Sequence, residues 1–196
     1  KECFFISPIG EEGSDVRKRA DGVLNFVVRK AATELGLETV RADHISKPGH
    51  ITLQVIEHVM QAGAVVADLT GLNPNVFYEL AIRHAVKKPV VLMAEKGTKL
   101  PFDIAQMRTI FIDSTDLGSA DECRSAIVNH MRESLKDPAA DSPMATVVDI
   151  QTLKGGNVLE QNVAELIGAV AEVTQLSRQS IDLAERTFFE MQFGLF

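Results

Sequence analysis

The residues best suited to chemistry follow the third apolar run of the sequence, which spans residues 64–67. Asp68 closes this run, and a carboxylate at the end of a buried strand is costly unless it has partners. The Thr70 hydroxyl and the N–H groups of the Gly71–Asn75 loop are suitable partners. Glu79 falls near the start of the next helical segment, where we expect the helix N-terminus to keep its carboxylate ionised and available as a nucleophile. The spacing therefore predicts a carboxylate site, with Asp68 and Glu79 as catalytic candidates.

The residues between the two acids are candidates for contacting a substrate. Asn73 and Asn75 are of the type that caps a helix, and Tyr78, the only tyrosine in the chain, offers a stacking face or a hydroxyl. With Thr70 they form the predicted substrate-binding set of this segment. The alternative interpretation is structural: Asp68 caps the loop and Glu79 is a charge on the helix surface.

A second candidate segment follows the first predicted strand. Gly10 and Gly13 allow the backbone to approach a ligand, and the start of the next helix offers free N–H groups to an anion. Arg17 and Arg19 lie near the start of that helix and could bind a phosphate. The alternative is an ordinary turn with solvated arginines. The predicted contacts of this segment are Ser7, Pro8, Ile9, Gly10 and Arg17.

Asp43 and His44 follow the second predicted strand. A paired Asp and His at a strand end can orient sugar hydroxyls or move protons. We place Asp43 among the catalytic candidates and His44 among the substrate contacts, with an exposed loop residue as the alternative for His44.

These segments need a scaffold that brings strand ends together. Short apolar runs alternate with amphipathic segments, which is typical of βα units around a parallel sheet. The sequence predicts an α/β fold with a small doubly wound parallel sheet of five strands in the flavodoxin-like order 2-1-3-4-5, whose ligands bind at the carboxyl ends of the strands. The predicted strands are Cys3–Ser7, Glu38–Ala42, Ala64–Asp68, Pro89–Ala94 and Thr109–Ile112, and the predicted helices are Ser14–Leu35, Ile51–Ala62, Asn75–Val86 and Ala120–Leu135.

The last third of the chain differs in composition. We predict a catalytic domain over residues 1–136, a linker over 137–156 and a C-terminal helical segment over 157–196, with one long helix to about Phe189. Its apolar residues recur at heptad spacing, which predicts either packing onto the first domain or, as we favour, a homo-oligomer formed through this helix. The heptad residues are Leu159, Val163, Leu166, Val170 and Val173.

Composition narrows the function classes. The net charge of −7 argues against a nucleic-acid partner, which needs a clustered basic face. No apolar stretch approaches the roughly 20 residues of a membrane span, so we expect no membrane partner. The cysteines Cys3 and Cys123 predict neither a disulfide framework nor a metal site, and a reducing cytoplasm is the expected compartment.

The pattern around Glu79 resembles the nucleoside 2-deoxyribosyltransferase family and its nucleotide N-glycosidase relatives. The shared features are an acid closing the third strand, a Thr two residues on, and Tyr-Glu-Leu at the head of the next helix. The resemblance covers about Lys1 to Ile112 and implies that Glu79 attacks the anomeric carbon to form a glycosyl-enzyme intermediate, while Asp68 orients the sugar. The segment Phe5–Gly10 is similar to the family's first-strand loop, which contacts sugar or phosphate.

Two further features bear on this resemblance. Hydrolases of that family carry another acid about where Val55 stands here, so Asp43 is our substitute for the general acid. The Toll/interleukin-receptor (TIR) domain, a related fold, also places a catalytic Glu before Leu on the helix after its third strand, and many of its members cleave NAD.

We therefore expect an enzyme that cleaves or transfers an N-glycosidic bond of a nucleoside, a nucleotide or NAD through Glu79. No cofactor or metal is expected, and NAD enters only as a candidate substrate. The alternatives are a non-catalytic nucleotide sensor that uses the same cleft and a TIR-type assembly domain that works through its surfaces.

Overall fold

The computed structural model describes residues 1–45 and 51–136. The predicted linker and the predicted C-terminal helix, with its oligomer interface, lie outside the described residues.

A five-stranded parallel sheet forms the centre of the described chain, in the order β2-β1-β3-β4-β5. This order confirms the predicted flavodoxin-like topology. All five residues of the third strand are buried, as expected for a sheet that is covered on both faces. The strands are β1 (Glu2–Ile6), β2 (Glu38–Arg41), β3 (Ala64–Asp68), β4 (Val90–Glu95) and β5 (Thr109–Ile112).

Helices connect the strands, as the sequence predicted, with two additions. The first predicted helix is an α-helix that passes through a π-helical segment, Leu24–Val28, before it ends. A four-residue helix after β4 was not predicted, because one turn has no apolar period to detect. The α-helices are α1 (Asp15–Val23), α2 (Arg29–Glu34), α3 (Ile51–Gln61), α4 (Pro74–Ala85), α5 (Phe102–Ala105) and α6 (Leu117–Lys136).

The sheet separates two apolar cores. On one face, Phe5 and Val66 pack with residues of α1, α2 and α6. On the other face, Phe4 and Val65 pack with residues of α3 and α4. Because side chains alternate along a strand, the position of a residue in its strand decides which core it joins. This alternation also decides on which side of the sheet each candidate site residue lies.

Polar side chains cap the N-termini of two helices next to the candidate site, α1 and α4. The Ser14 hydroxyl accepts a hydrogen bond from the Arg17 N–H at 3.1 Å, and the Asn73 side chain accepts one from the Asn75 N–H at 2.9 Å. Each satisfies an N–H group that the helix itself leaves without a partner.

Cys3 and Cys123 are both free and buried. Within residues 1–45 and 51–136, no helix is long and apolar enough to cross a membrane.

Candidate active site

Asp68 ends β3 as a fully buried carboxylate whose two oxygens both have partners. Oδ1 accepts hydrogen bonds from the Thr70 N–H at 3.1 Å and the Thr70 hydroxyl at 2.5 Å. Oδ2 accepts one from the Arg19 guanidinium at 2.6 Å. The predicted partnership with Thr70 is confirmed, whereas the Arg19 contact was not predicted. Asp68 therefore holds protein groups together, and its full burial closes it to a sugar in this structure.

Glu79 lies in the second turn of α4 and has a different environment. It is partly exposed, and it makes no hydrogen bond or ion pair with another described residue. Val76 and Arg83, three residues before and four after it, lie on the same face of the helix, and both are buried. Burial raises the pKa of Glu79 from 4.5 to about 7.

The expectation that the helix N-terminus keeps Glu79 ionised was therefore wrong in direction. The helix dipole acts mainly within the first turn, and Glu79 lies beyond it. Loss of solvation, which disfavours the charged carboxylate, decides its pKa instead.

Asp68 and Glu79 lie on opposite sides of the sheet. Asp68 follows Val66 by two residues, so its side chain leaves β3 towards α1 and contacts Arg19 of that helix. Glu79 belongs to α4, which packs on the other core through Val76 and Leu80. The sheet therefore separates the two acids, and they make no contact with each other.

Asp43 lies just beyond β2 in a cluster of ion pairs. Its carboxylate accepts hydrogen bonds from Arg41 Nε at 2.7 Å and Arg41 Nη2 at 2.8 Å, and it lies 3.0 Å from Arg17 Nη2. Burial acts to raise the pKa of Asp43, but the hydrogen bonds and charges of its neighbours outweigh it and the pKa lies below its ordinary value. A carboxylate held ionised suits acceptance of a hydroxyl hydrogen bond better than proton donation. His44 is more exposed and lies 3.8 Å from Asp43.

Arg17 does not present a free charge to a phosphate. It pairs with Asp21 at 2.9 Å as well as with Asp43. The glycine of the preceding loop is also explained by internal packing, because a Cβ on Gly10 would come within 2.8 Å of the Ser14 hydroxyl and 2.9 Å of Val16 Cβ. Gly10 has a φ of +69°, so both its backbone and its neighbours require glycine. The structure thus favours the turn interpretation of this segment over a prebuilt phosphate site.

The remaining predicted contacts have varied surroundings. The Ser7 hydroxyl is buried without a hydrogen-bond partner among the described residues. Pro8 and Ile9 are partly exposed beside it. Tyr78 packs partly buried against the core between α3, α4 and the sheet, so its ring contributes to packing. Asn75 is exposed at the start of α4.

Two residues at this edge escaped the sequence reasoning, Arg41 and Glu95. Arg41 is almost fully buried and bridges Asp43 and Asp21. Glu95 ends β4 and binds Arg19 Nε at 2.8 Å. Two signals in the sequence could have indicated them. Arg41 is a charged residue inside a predicted strand, and Glu95 is an acid that closes a strand as Asp68 does.

The opposite, amino-terminal edge of the sheet carries a cavity of about 640 Å³. Its lining includes Glu2, Glu57, His58 and Lys88 and none of the predicted site residues. His58 pairs with Glu2 there at 2.8 Å and stacks on Phe4. Glu57 therefore lies away from the candidate site. Since ligands of open parallel sheets bind at the carboxyl ends of the strands, we base the functional argument on that edge despite the size of this cavity.

No protein-family model matches the chain, and no curated protein is detectably similar to it in sequence. Among the described residues, no cluster of three or more His, Cys, Asp or Glu side chains is arranged to hold a metal ion. The functional argument therefore depends on the site itself.

Proposed function

We propose that this protein cleaves or exchanges the N-glycosidic bond of a nucleoside-type substrate, with Glu79 as the carboxylate that meets the anomeric carbon. The observation that carries the proposal is the state of Glu79. It is a carboxyl group with access to solvent, no partner among the described residues and a pKa raised to about 7. Acids whose pKa is strongly perturbed are more common at functional sites than on inert surfaces.

The chemistry follows from this environment. As the bond between the anomeric carbon and the base nitrogen breaks, its electron pair leaves with the base and positive charge develops on the sugar. The Glu79 carboxylate, poorly solvated by burial, stabilises that charge and forms a bond to the anomeric carbon. Water or a second base then attacks the same carbon and releases Glu79, which makes the protein a hydrolase or a transferase respectively.

The leaving group favours NAD among the candidate substrates. The nicotinamide of NAD carries a positive charge on its ring nitrogen and leaves as a neutral base, so it needs no proton from the enzyme. A purine or pyrimidine leaves more readily when it is protonated. Val55 is a buried apolar residue where the related hydrolases have an acid, and Asp43 is held ionised. Neither position supplies a proton donor, which suits the substrate that does not require one.

Asp43 and Asp68 have separate roles in this proposal. The Asp43 side chain is about 20% exposed and can accept hydrogen bonds from sugar hydroxyls, whereas the buried Asp68 holds the loop that leads to α4. Asp43 therefore replaces Asp68 as the sugar-orienting acid, and neither serves as the general acid.

A binding module, either a nucleotide sensor or a TIR-type assembly domain, is the second candidate. It is favoured by one observation: the carboxylates of Asp43 and Asp68 and the guanidinium of Arg17 are all engaged in ion pairs within the protein. Such a module requires a rigid edge of the sheet, which these ion pairs provide. It does not require a carboxyl group with a raised pKa, such as that of Glu79.

The deciding experiment is incubation of the protein with NAD and a panel of nucleosides and nucleotides, followed by chromatography for released base. We expect base release by the unmodified protein, and a loss of several orders of magnitude in Glu79→Gln, which keeps size and hydrogen bonding but removes the nucleophile. Glu57→Gln, an exposed Glu at the opposite edge, is the matched control and should retain full activity. Turnover by Glu79→Gln within about tenfold of the unmodified protein would contradict the assignment.

Two further expectations from the sequence belong with this proposal. The heptad pattern of residues 157–196 supports self-association as a homo-oligomer, which light scattering of the full chain tests directly. The two free cysteines support a reducing cytoplasm as the compartment, which fractionation of the cells that produce the protein tests.

A further inference from the structure

Arg19 lies at the carboxyl edge of the sheet but has no part in the proposed chemistry. All three nitrogens of its guanidinium donate hydrogen bonds. Nη1 donates to Asp68 Oδ2 at 2.6 Å, Nε to Glu95 Oε2 at 2.8 Å and Nη2 to the Thr70 hydroxyl at 2.9 Å. One side chain of α1 therefore binds the last residues of two neighbouring strands, Asp68 of β3 and Glu95 of β4, together with Thr70, which follows β3.

The Thr70 hydroxyl is the centre of this arrangement. It donates to Asp68 Oδ1 at 2.5 Å and accepts hydrogen bonds from Arg19 and from the Glu95 N–H at 2.9 Å. The second carboxylate oxygen of Glu95 accepts a hydrogen bond from the Ser114 N–H at 2.8 Å, just beyond β5. The ends of three strands are thus tied together around one hydroxyl group.

The loop that begins at Thr70 has a backbone that needs such support. Gly71 and Leu72 have φ angles of 70° and 52°, both in the left-handed region. For leucine this conformation costs on the order of 1 to 2 kcal/mol and persists only where its surroundings enforce it. The loop ends at Asn73, which caps α4. Residues 70–72 therefore connect the contacts of Arg19 to the start of the helix that carries Glu79.

We propose that Arg19 is a positioning residue for Glu79, which acts by fixing Thr70 and Asp68 and, through the loop between Thr70 and Asn73, the start of α4. Asp68 and Glu79 lie on opposite sides of the sheet and do not contact each other. The effect of Arg19 on Glu79 is therefore transmitted by the backbone and not by a side-chain contact. The effect of Arg19 on reaction rate rests on the proposed function, whereas its effect on the loop and on the helix does not.

The test uses two variants and a control. Arg19→Lys keeps a positive charge beside the buried Asp68, which spares the fold an unpaired carboxylate, but a single ammonium group cannot reproduce the fork that reaches three partners. Arg19→Met removes the charge as well. Arg124→Met is the matched control, because Arg124 also bridges two carboxylates, those of Glu34 and Asp121, at 2.6 Å each and contacts neither Thr70 nor Asp68.

Amide hydrogen exchange across residues 69–80 tests the proposal without any substrate. We expect both Arg19 variants to raise exchange at the Leu72–Glu79 amides by about tenfold or more, because local opening becomes easier when the loop loses its anchor. Arg124→Met should leave these amides unchanged. Exchange in Arg19→Lys equal to that of the unmodified protein, even with a lower melting temperature, would mean that Arg19 only stabilises the fold and would overturn the proposal.

Kinetics test the consequence for the reaction. Arg19→Lys should lower kcat by roughly 100-fold, the scale on which a misplacement of about 1 Å acts, while KM stays within about threefold because Arg19 does not contact the substrate. An unchanged kcat alongside faster exchange would overturn the positioning of Glu79. If the unmodified protein releases no base from any substrate, the proposed function fails, and the exchange experiment still decides whether Arg19 controls the start of α4.

Discussion

At the scale of single residues, burial without a partner among the described residues has opposite effects on the pKa values of two side chains of α4. Burial raises the pKa of Glu79 to about 7 and lowers the pKa of His84 from 6.5 to about 4. The cause is the same in both cases, because a weakly solvating environment disfavours whichever form is charged. The consequence differs: Glu79 titrates in the range where it can serve catalysis, and His84 is neutral throughout that range.

The pH dependence of base release should report Glu79 directly. A nucleophile acts as the carboxylate, so kcat/KM should rise with pH and level off above an apparent pKa near 7. Measurement of base release from about pH 5 to about pH 9 checks this expectation. A rate that falls with rising pH through the same midpoint would make Glu79 a proton donor, and a profile that is flat around neutrality would remove it from the rate-determining chemistry.

At the scale of elements, the contact between α1 and the end of β3 should matter more than exposed ion pairs elsewhere. Asp68→Ala leaves the Thr70 N–H and hydroxyl without their acceptor and Arg19 with one carboxylate fewer. A buried donor left without its acceptor costs about 1 to 3 kcal/mol of the free energy of unfolding, while Arg19 keeps its ion pair with Glu95. Urea unfolding of the variant measures it.

Asp121→Ala is the control for this prediction. Asp121 pairs with Arg124 at an exposed position of α6, where an ion pair contributes at most about 1 kcal/mol. Equal losses in the Asp68 and Asp121 variants would show that Asp68 contributes no more than a surface charge.

The elements also show what the sequence could and could not predict. Continuous apolar runs predicted strands such as β3 and β4, since a sheet covered on both faces demands them. The Asp68–Thr70 contact was predictable because it joins residues two apart. The ion pairs of Arg19 were not predicted because its partners Asp68 and Glu95 are 49 and 76 residues away in the sequence, and no local pattern encodes such a pairing. The pKa of Glu79 was predicted in the wrong direction because the sequence gives its place in a helix but not its burial.

At the scale of the whole molecule, the two edges of the sheet are built differently. The carboxyl edge concentrates ion pairs of Arg17, Arg19 and Arg41 with four carboxylates, those of Asp21, Asp43, Asp68 and Glu95. The amino-terminal edge has the cavity around His58. A carboxyl edge held by this many fixed charges is preorganised, which is what stabilisation of a developing sugar cation requires.

The stability of the whole molecule should depend on pH through His84 and Glu79 with opposite signs. The folded pKa of His84 lies below its ordinary value, so the unfolded chain binds the proton first as the pH falls. The stability due to neutral His84 is present above pH 6.5 and lost as the pH falls to about 4. The folded pKa of Glu79 lies above its ordinary value, so its neutral form stabilises the fold below pH 4.5, and that contribution is lost as the pH rises through about 7.

Because the two contributions nearly cancel between these values, variants are needed to separate them. In Glu79→Gln the contribution of His84 is no longer offset by Glu79, and this contribution should lower the free energy of unfolding by up to about 3 kcal/mol between about pH 8 and about pH 4. The same variant should be more stable than the unmodified protein at about pH 8, where the buried carboxylate is charged, and should lose this advantage near pH 4.5. Adding His84→Gln should remove the part of this change in the free energy of unfolding that His84 causes, as measured by urea unfolding at each pH. A slope that persists unchanged in the double variant would place the acid sensitivity of the fold outside α4.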